Sequence, residues 1–457
     1  MNQSLAADRS LLPPPPTAYR WVVLVFVSLA MFGNYYVYDS MGPVFDLLKS
    51  QLGFTDQQLG GLYSVYSIAA VLVLLLGGYL IDRWGTKKSI MLFALICLGA
   101  AFLTAVSSQY AVMLGGRFFL GVGAEPLIVA VTTALAKWFK GKELSFAFGL
   151  NLTISRLGSA SADWSTAWAR PLYTNWQDPL WLATAVAGVS VAGALLYWFM
   201  ENRADRAYSL GEAQETEKIE RKGLYSFSPS YWYIVALCVV FYSTVFPFRA
   251  FAIYYFQQAH GLEREMAGKL NSLLPFAAMI ATPLFGLLVD RVGKRSFFMA
   301  VGSLVLLPLF LIVTYAPPGR EIAFDLNLWF LGTLSIAAPL TLILVMLALG
   351  LAFSLIPAVM WPSVAYIVEQ RRLGTGLALM TLCQQVGMAF VPWLIGFLND
   401  RFGASPENTA GYAAGMWAFT VLASLGLLFS FLLWRAERGP GAHGLETIRA
   451  GGGGKGA

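Results

Sequence analysis

The sequence predicts an all-α membrane protein with twelve transmembrane helices in two six-helix, pseudo-symmetric halves. Three observations carry the prediction. First, 57% of the 457 residues are apolar and only 12% are charged, against roughly a quarter charged in an ordinary soluble domain, and mean hydropathy is +0.63. Second, twelve mostly apolar runs follow one another along the chain, most of them near the ~20 residues that cross a bilayer as a helix. Third, a short charged pattern recurs at corresponding turns of the two halves. A water-facing shell cannot cover so much apolar surface, which excludes a cytosolic enzyme, a disordered chain and a nucleic-acid binder.

The runs lie near residues 20–41, 59–81, 90–107, 110–137, 144–170, 179–200, 230–258, 266–289, 297–315, 339–368, 374–398 and 412–434. Asp82 to Ser89 and Asp290 to Ser296 are short polar turns. The stretch 328–338 is apolar but too short to cross, and reads as an interfacial piece ahead of the tenth span. Residues 1–19 read as a cytoplasmic tail without a cleavable leader. The N-terminal six-helix half then covers 20–200, a solvated cytoplasmic linker of mixed charge 201–229, and the C-terminal half 230–434. The remainder, 435–457, ends in a Gly-rich run and reads as a disordered cytoplasmic tail.

Lysine and arginine set the orientation. With the N-terminus inside, 22 of the 31 basic residues fall on inner segments, 6 on outer loops and 3 (Arg117, Arg156 and Arg249) inside spans. Both termini are therefore expected in the cytoplasm, and the net charge of +6 needs no nucleic acid. His260 and His443 lie in polar stretches, and Cys97, Cys238 and Cys383 sit in separate runs without CxxC spacing. A His-based metal site and a Ser-His-Asp triad are disfavoured, and no cofactor is expected.

The halves repeat. GYLIDRWG at 78–85 matches GLLVDRVG at 286–293, and FGLNLTISRLG at 148–158 has a weaker counterpart in TGLALMTLCQQVG at 375–387. Two parallel six-span repeats are a transporter architecture with a cavity near midplane. The D-R-x-G-x-[KR]-[KR] pattern after the second span, repeated after the eighth, resembles the signature of the major facilitator superfamily. MLGGRFFLGVGAE at 113–125 resembles its fourth-helix arginine motif. A finer resemblance runs over nearly the whole chain. YYVYD at 35–39, GRFFLGVGAEPLIVA at 116–130, WFKGKELSFAFGLNLTISRLGS at 138–159, VFPF at 245–248, FGLLVDRVGK at 285–294 and MWPSVAYIV at 360–368 are similar to the lysosomal dipeptide-transporter branch. That branch is the major facilitator superfamily domain-containing protein one group.

Asp39, Arg117, Glu125 and Arg156 lie inside apolar runs of the first half. A charge at the bilayer centre costs about 2.5–3.5 kcal/mol on insertion scales, so each must face a partner or a wet cavity. Two readings stand for Glu125 and Arg156: a buried ion pair that orders the bundle, or an acid and a base at similar depth that grip the two ends of a zwitterion. A dipeptide is such a zwitterion, about 7 Å long when extended, with a carboxylate for arginine and an ammonium for glutamate. The resemblance implies the second reading, since the family's substrate-clamping Glu and Arg fall on Glu125 and Arg156, with Tyr38 and Asp39 lining the cavity. Tyr63, Tyr66, Trp361 and Gln384 lie on cavity-prone spans as candidate walls. Arg249 stands mid-span on the seventh helix where the family carries an apolar residue. It either adds positive charge to the cavity, favouring an acidic peptide, or snorkels to the interface. At the turns, Gly85 and Gly293 permit tight bends. Asp82 and Asp290 are placed to accept from backbone N–H groups of a neighbouring helix end, and Arg83 and Arg291 to meet anionic headgroups. These six residues read as gating residues.

The resulting expectation is an alternating-access transporter of short peptides, dipeptides first. Single amino acids or small carboxylates are the alternative cargo, and uniport and proton symport both remain open. Its partners are the peptide and the lipid bilayer. The sequons at Asn2 and Asn151 fall in a tail and inside a span. A monomer without an accessory subunit, in a bacterial cytoplasmic membrane, is therefore expected.

Overall fold

The computed structural model describes residues 13–139, 143–209, 227–317, 319–327, 333–369 and 372–448. The expected linker, through 210–226, and the outer parts of both tails lie outside the described residues. Twelve long helices follow in the expected order: α1 (Thr17–Asp39), α3 (Asp56–Trp84), α4 (Thr86–Val106), α5 (Tyr110–Trp138), α6 (Leu144–Trp168), α7 (Gln177–Ala207), α8 (Pro229–His260), α9 (Arg264–Val292), α10 (Arg295–Tyr315), α11 (Leu340–Ile367), α12 (Leu373–Arg401) and α13 (Ala413–Ala436). A short amphipathic helix, α2 (Phe45–Leu52), precedes α3. Among the described residues, eleven spans are long and apolar enough to cross a membrane. The exception is α6, whose run carries Asn151, Arg156, Asp163 and a series of Ser and Thr. A helix that polar belongs against protein or a wet cavity, not against acyl chains.

The chain folds as two compact units: Met1–Ser40, Ile68–Ala162 and Asn175–Glu217 in one, and Met41–Ser67, Asp163–Thr174 and Lys218–Ala457 in the other. The units cut across the sequence halves, because α3 changes unit at Ser67 and α6 at Ala162. In the first unit small residues let helices pack closely, as membrane interfaces require. Ser190 on α7 donates to the Ala30 carbonyl of α1 at 3.0 Å. Beside the D-R-W-G turn, buried Glu201 on α7 collects Lys137 of α5 at 2.7 Å and Thr86 of α4. In the second unit α8 is the most enclosed span, held by edge-to-face contacts of Phe248 with Phe310 and Phe419 at 5.3 and 5.9 Å.

Two features correct the sequence reading. Of the stretch read as an interfacial piece, 328–332 lies outside the described residues, and the rest belongs to the second strand of an antiparallel hairpin, β1 (Glu321–Asn327) and β2 (Thr333–Pro339), with Glu321 opposite Pro339. Period-two alternation explains it: Ile336 and Ala338 are buried, while Ser335 and Ala337, which alternate with them, are exposed. The second is the C-terminal tail, whose described part folds back onto the second unit. The Leu445 carbonyl accepts from Arg295 N–H at 3.0 Å, and Glu446 accepts from Ser296 N–H at 3.2 Å, in the first turn of α10. The tail is fixed by Glu437, which accepts from Ser230 Oγ at 2.7 Å and from the backbone N–H groups of His443 and Leu445 at 2.9 and 3.4 Å. His443 Nδ1 lies 2.8 Å from the same carboxylate.

Burial alone pushes the Glu437 carboxyl up, but these donors outweigh it and hold it below its ordinary value. A lowered carboxyl contributes stability that is present above the ordinary carboxylate range and lost as pH falls through the lowered value. The gap in thermal midpoint between the parent and Glu437→Gln is expected to be widest near neutral pH and to narrow below about pH 4. Unfolding followed in detergent between neutral and acid pH checks this; a gap of constant size speaks against it.

Candidate functional site

The site begins where α1 crosses α6. A β-carbon on Gly158 would overlap the Phe32 carbonyl oxygen, so glycine permits the backbone approach that brings α6 onto α1. Ser28 Oγ, one turn earlier on α1, donates to Asn151 Oδ1 at 3.0 Å. This crossing places Arg156 of α6 beside the last turns of α1. The Tyr35 hydroxyl lies within electrostatic reach of Glu125 on α5, Arg156 on α6 and Asp39 on α1. Arg156 and Asp39 are buried, whereas Glu125, Tyr35 and Tyr38 are partly accessible. Pro126 follows Glu125 within α5 and, lacking an N–H, leaves the Val122 carbonyl without its helical donor.

Arg117 plays a different part. It is 1% exposed and donates to the carbonyls of Val37 and Tyr38 at 3.3 and 3.2 Å, with its guanidinium 5.4 Å from the Tyr38 ring centre. Those carbonyls belong to the last turn of α1, where helical partners run out and the dipole favours a cation. Arg117 thus holds the turn that carries Tyr38 and Asp39.

The remaining candidates fall in the second unit. Tyr63 and Tyr66 are buried, and Tyr63 stands edge-on to Phe45 at 5.9 Å. Trp361 donates to the Tyr242 hydroxyl at 3.0 Å. Gln384 is buried, with sulfur contacts to Cys238 and Met388 at 3.6 and 3.7 Å. Arg249 meets Asp163 at 2.6 Å, and Asn271 donates to Asp163 at 2.9 Å and to the Arg249 carbonyl at 3.2 Å. The Arg249 charge is therefore matched by a carboxylate. Asp163, in SADWS on α6, was missed by the sequence reading, although a carboxylate inside an apolar run is itself the signal.

At the turns, Gly85 and Gly293 adopt φ of 76° and 72°, the left-handed region that glycine tolerates. Asp82 and Arg83 are exposed, and Arg83 reaches the Tyr79 hydroxyl at 3.3 Å. Asp290 receives the Arg295 guanidinium at 2.8 Å on its own turn, in place of the expected backbone N–H. Arg295 is buried, 4.9 Å from the Tyr366 ring centre, which swings it back toward Asp290 and away from headgroups. Arg291 is exposed beside it.

Residues 27–337 match the family model described as Major Facilitator Superfamily. The chain belongs to that superfamily. It is 29% identical to the lysosomal dipeptide transporter MFSD1 of Bos taurus, over 96% of this chain and 90% of that protein. Against the lysosomal dipeptide transporter MFSD1 of Homo sapiens identity is again 29%, over 95% of this chain and 90% of the relative. Among solved structures, a bacterial homologue of the human lysosomal transporter Spinster superposes with a TM-score of 0.71 at 15% identity, covering 92% of this chain and 98% of that one. The nucleoside transporter NupG superposes with a TM-score of 0.67 at 13% identity, covering 90% and 99%. These superpositions bear on the fold alone. As a member of the superfamily, the protein is an integral membrane transporter and not an enzyme.

The Arg249–Asp163 pair gives a direct test of packing. Arg249→Leu leaves a buried carboxylate without its guanidinium and is expected to cost about 3–5 kcal/mol. Adding Asp163→Asn to that variant is expected to recover most of the loss. A double-mutant cycle on thermal unfolding in detergent checks both, and additive losses refute the coupling.

Proposed function

We propose that this transporter carries short peptides, dipeptides above all, by alternating access. Glu125 holds the substrate ammonium and Arg156 its carboxylate. The observation that carries the proposal is that Glu125, Asp39 and Arg156 all lie within electrostatic reach of the Tyr35 hydroxyl. An acid and a base at one place in a membrane helix bundle suit a molecule with opposite charges at its ends. The 29% likeness to lysosomal dipeptide transporters supports the same cargo. Tyr38 and Asp39 line the site on α1, and Tyr63, Tyr66, Trp361 and Gln384 are the substrate-binding candidates of the second unit. Arg249, matched by Asp163, supports a zwitterionic cargo over an acidic one. Asp82, Arg83, Gly85, Asp290, Arg291 and Gly293 gate the face that carries the D-R-x-G turns. The protein works as a monomer in a cytoplasmic membrane with both termini inside. Single amino acids remain the alternative cargo, and proton coupling through Asp39 or Glu125 the alternative mode.

Uptake of a labelled dipeptide into proteoliposomes tests the clamp. Losing a charge-assisted bond to one substrate end costs roughly 1.5–3 kcal/mol, so Glu125→Gln and Arg156→Gln are each expected to weaken apparent affinity by about 10–100-fold. N-acetylated and C-amidated dipeptides are expected to compete poorly with the parent's substrate. Undiminished uptake in both variants removes the proposal. Competition by free amino acids but not by dipeptides moves it to the alternative cargo.

A further inference from the structure

The D-R-x-G pattern occurs a third time, at the other side of the molecule. The end of α12 reads Asp400-Arg401-Phe402-Gly403, and Gly403 again has a left-handed φ, 60°. Here the aspartate does take backbone donors from another helix. Its carboxylate oxygens accept the N–H groups of Asp56 at 3.0 Å and Gln57 at 2.8 Å, the first two residues of α3. These donors have no partner within their own helix, and the macrodipole favours an anion there. Beside the cap, Asn399 donates to Asp56 Oδ2 at 3.1 Å, and Lys49 of α2 pairs with the same carboxylate, which is fully buried. Behind the cap the two backbones touch. A β-carbon on Gly60 would overlap the Pro392 carbonyl oxygen, and one on Gly396 that of Asp56. Ser64 Oγ accepts the Trp393 N–H at 3.1 Å.

By sequence α3 belongs to the first repeat and α12 to the second, yet residues 56–67 of α3 fold in the same compact unit as α12. The last turns of α6 and the segment after it, also from the first repeat, are held in that unit too. Arg249 and Asn271 grip Asp163, and Arg264 pairs with Asp46 and donates to the Tyr173 carbonyl at 2.7 Å. Two helices of the first repeat are thus fastened to the second at the ends remote from the D-R-W-G turn. A midplane site opens toward this side only when those fastenings part. The Asp400 cap is suited to parting, because a carboxylate and two N–H groups regain water when they separate, so the net cost is about that of ordinary hydrogen bonds. Apposed glycines leave no side chains to disentangle.

We infer that Asp400, with Asn399, Asp56 and Lys49, is the gate of the transport cycle on the side opposite the D-R-W-G and D-R-V-G turns, shut by a carboxylate seated on the α3 N-terminus. The inference rests on the transporter reading but not on the nature of the cargo. In the full chain with Cys97, Cys238 and Cys383 replaced by Ala, Ser64→Cys places a thiol behind the gate. The protein in lipid nanodiscs is treated with a water-soluble maleimide without added substrate. Asp400→Ala is expected to speed labelling of that thiol by about tenfold, and Lys49→Gln by about threefold, each with a monodisperse gel-filtration profile. Rates within about twofold of the parent in both variants overturn the gate. If either variant loses its monodisperse profile, Asn399→Ala takes its place, with an expected increase of about threefold and the same criterion for failure. Faster labelling in a protein that takes up no dipeptide leaves the gate standing and removes the cargo proposal. Dipeptide uptake with unchanged labelling overturns the gate alone.

Discussion

A charged or hydrogen-bonding group inside a bilayer has only the protein to turn to, because no water is present to satisfy it. That constraint organises the molecule. Arg117 is spent on the carbonyls that end α1. Arg249 is spent on Asp163. Glu201 is spent on Lys137 and Thr86 near the membrane edge. Each of these groups has a structural occupation visible in its partners. Glu125, Asp39 and Arg156 all lie within electrostatic reach of the Tyr35 hydroxyl.

The same constraint explains why helix ends recur as functional places. The first four N–H groups and last four carbonyls of a helix have no partner within it. Arg117 serves the end of α1, Asp400 the start of α3, and Glu446 the start of α10. A side chain from a distant part of the sequence that supplies such a partner fixes one helix relative to another at little packing cost. It also does so reversibly, because water replaces it once the end is exposed. In the D-R-x-G motif the glycine turns the chain sharply and leaves an aspartate free to reach across. Asp290 shows that the reach is optional, since Arg295 occupies it locally.

Hydropathy makes the spans legible because each must be apolar over a fixed length, and the repeated turn exposes the two halves because its glycine has few substitutes. Less local features were harder to read. Asp163 lies only seven residues after Arg156 in the same run, but its importance depends on Arg249, 86 positions away. The motif at 400–403 is plain in the letters and was passed over, because only its contact with α3 separates a gate from an ordinary helix end. The hairpin escaped because its strands alternate over only seven residues each, too few to outweigh an apolar composition. The C-terminal tail reads as loose by composition, and its attachment depends on Glu437, whose donors come from Ser230 and from the tail itself.

Charge balance bears on the cargo independently of any relative. Around Tyr35 stand two carboxylates, Glu125 and Asp39, and one guanidinium, Arg156. When all three are ionised, the signs about that hydroxyl sum to one negative charge. Adding an anion would deepen the imbalance in a medium where charges are weakly screened. A zwitterion leaves the sum unchanged, with its ammonium toward the carboxylates and its carboxylate toward Arg156. A cation or an accompanying proton would neutralise it. Arg249 does not alter this balance in favour of an anion, because its own charge is matched by Asp163. The second arginine therefore does not favour the acidic peptide that it first suggested.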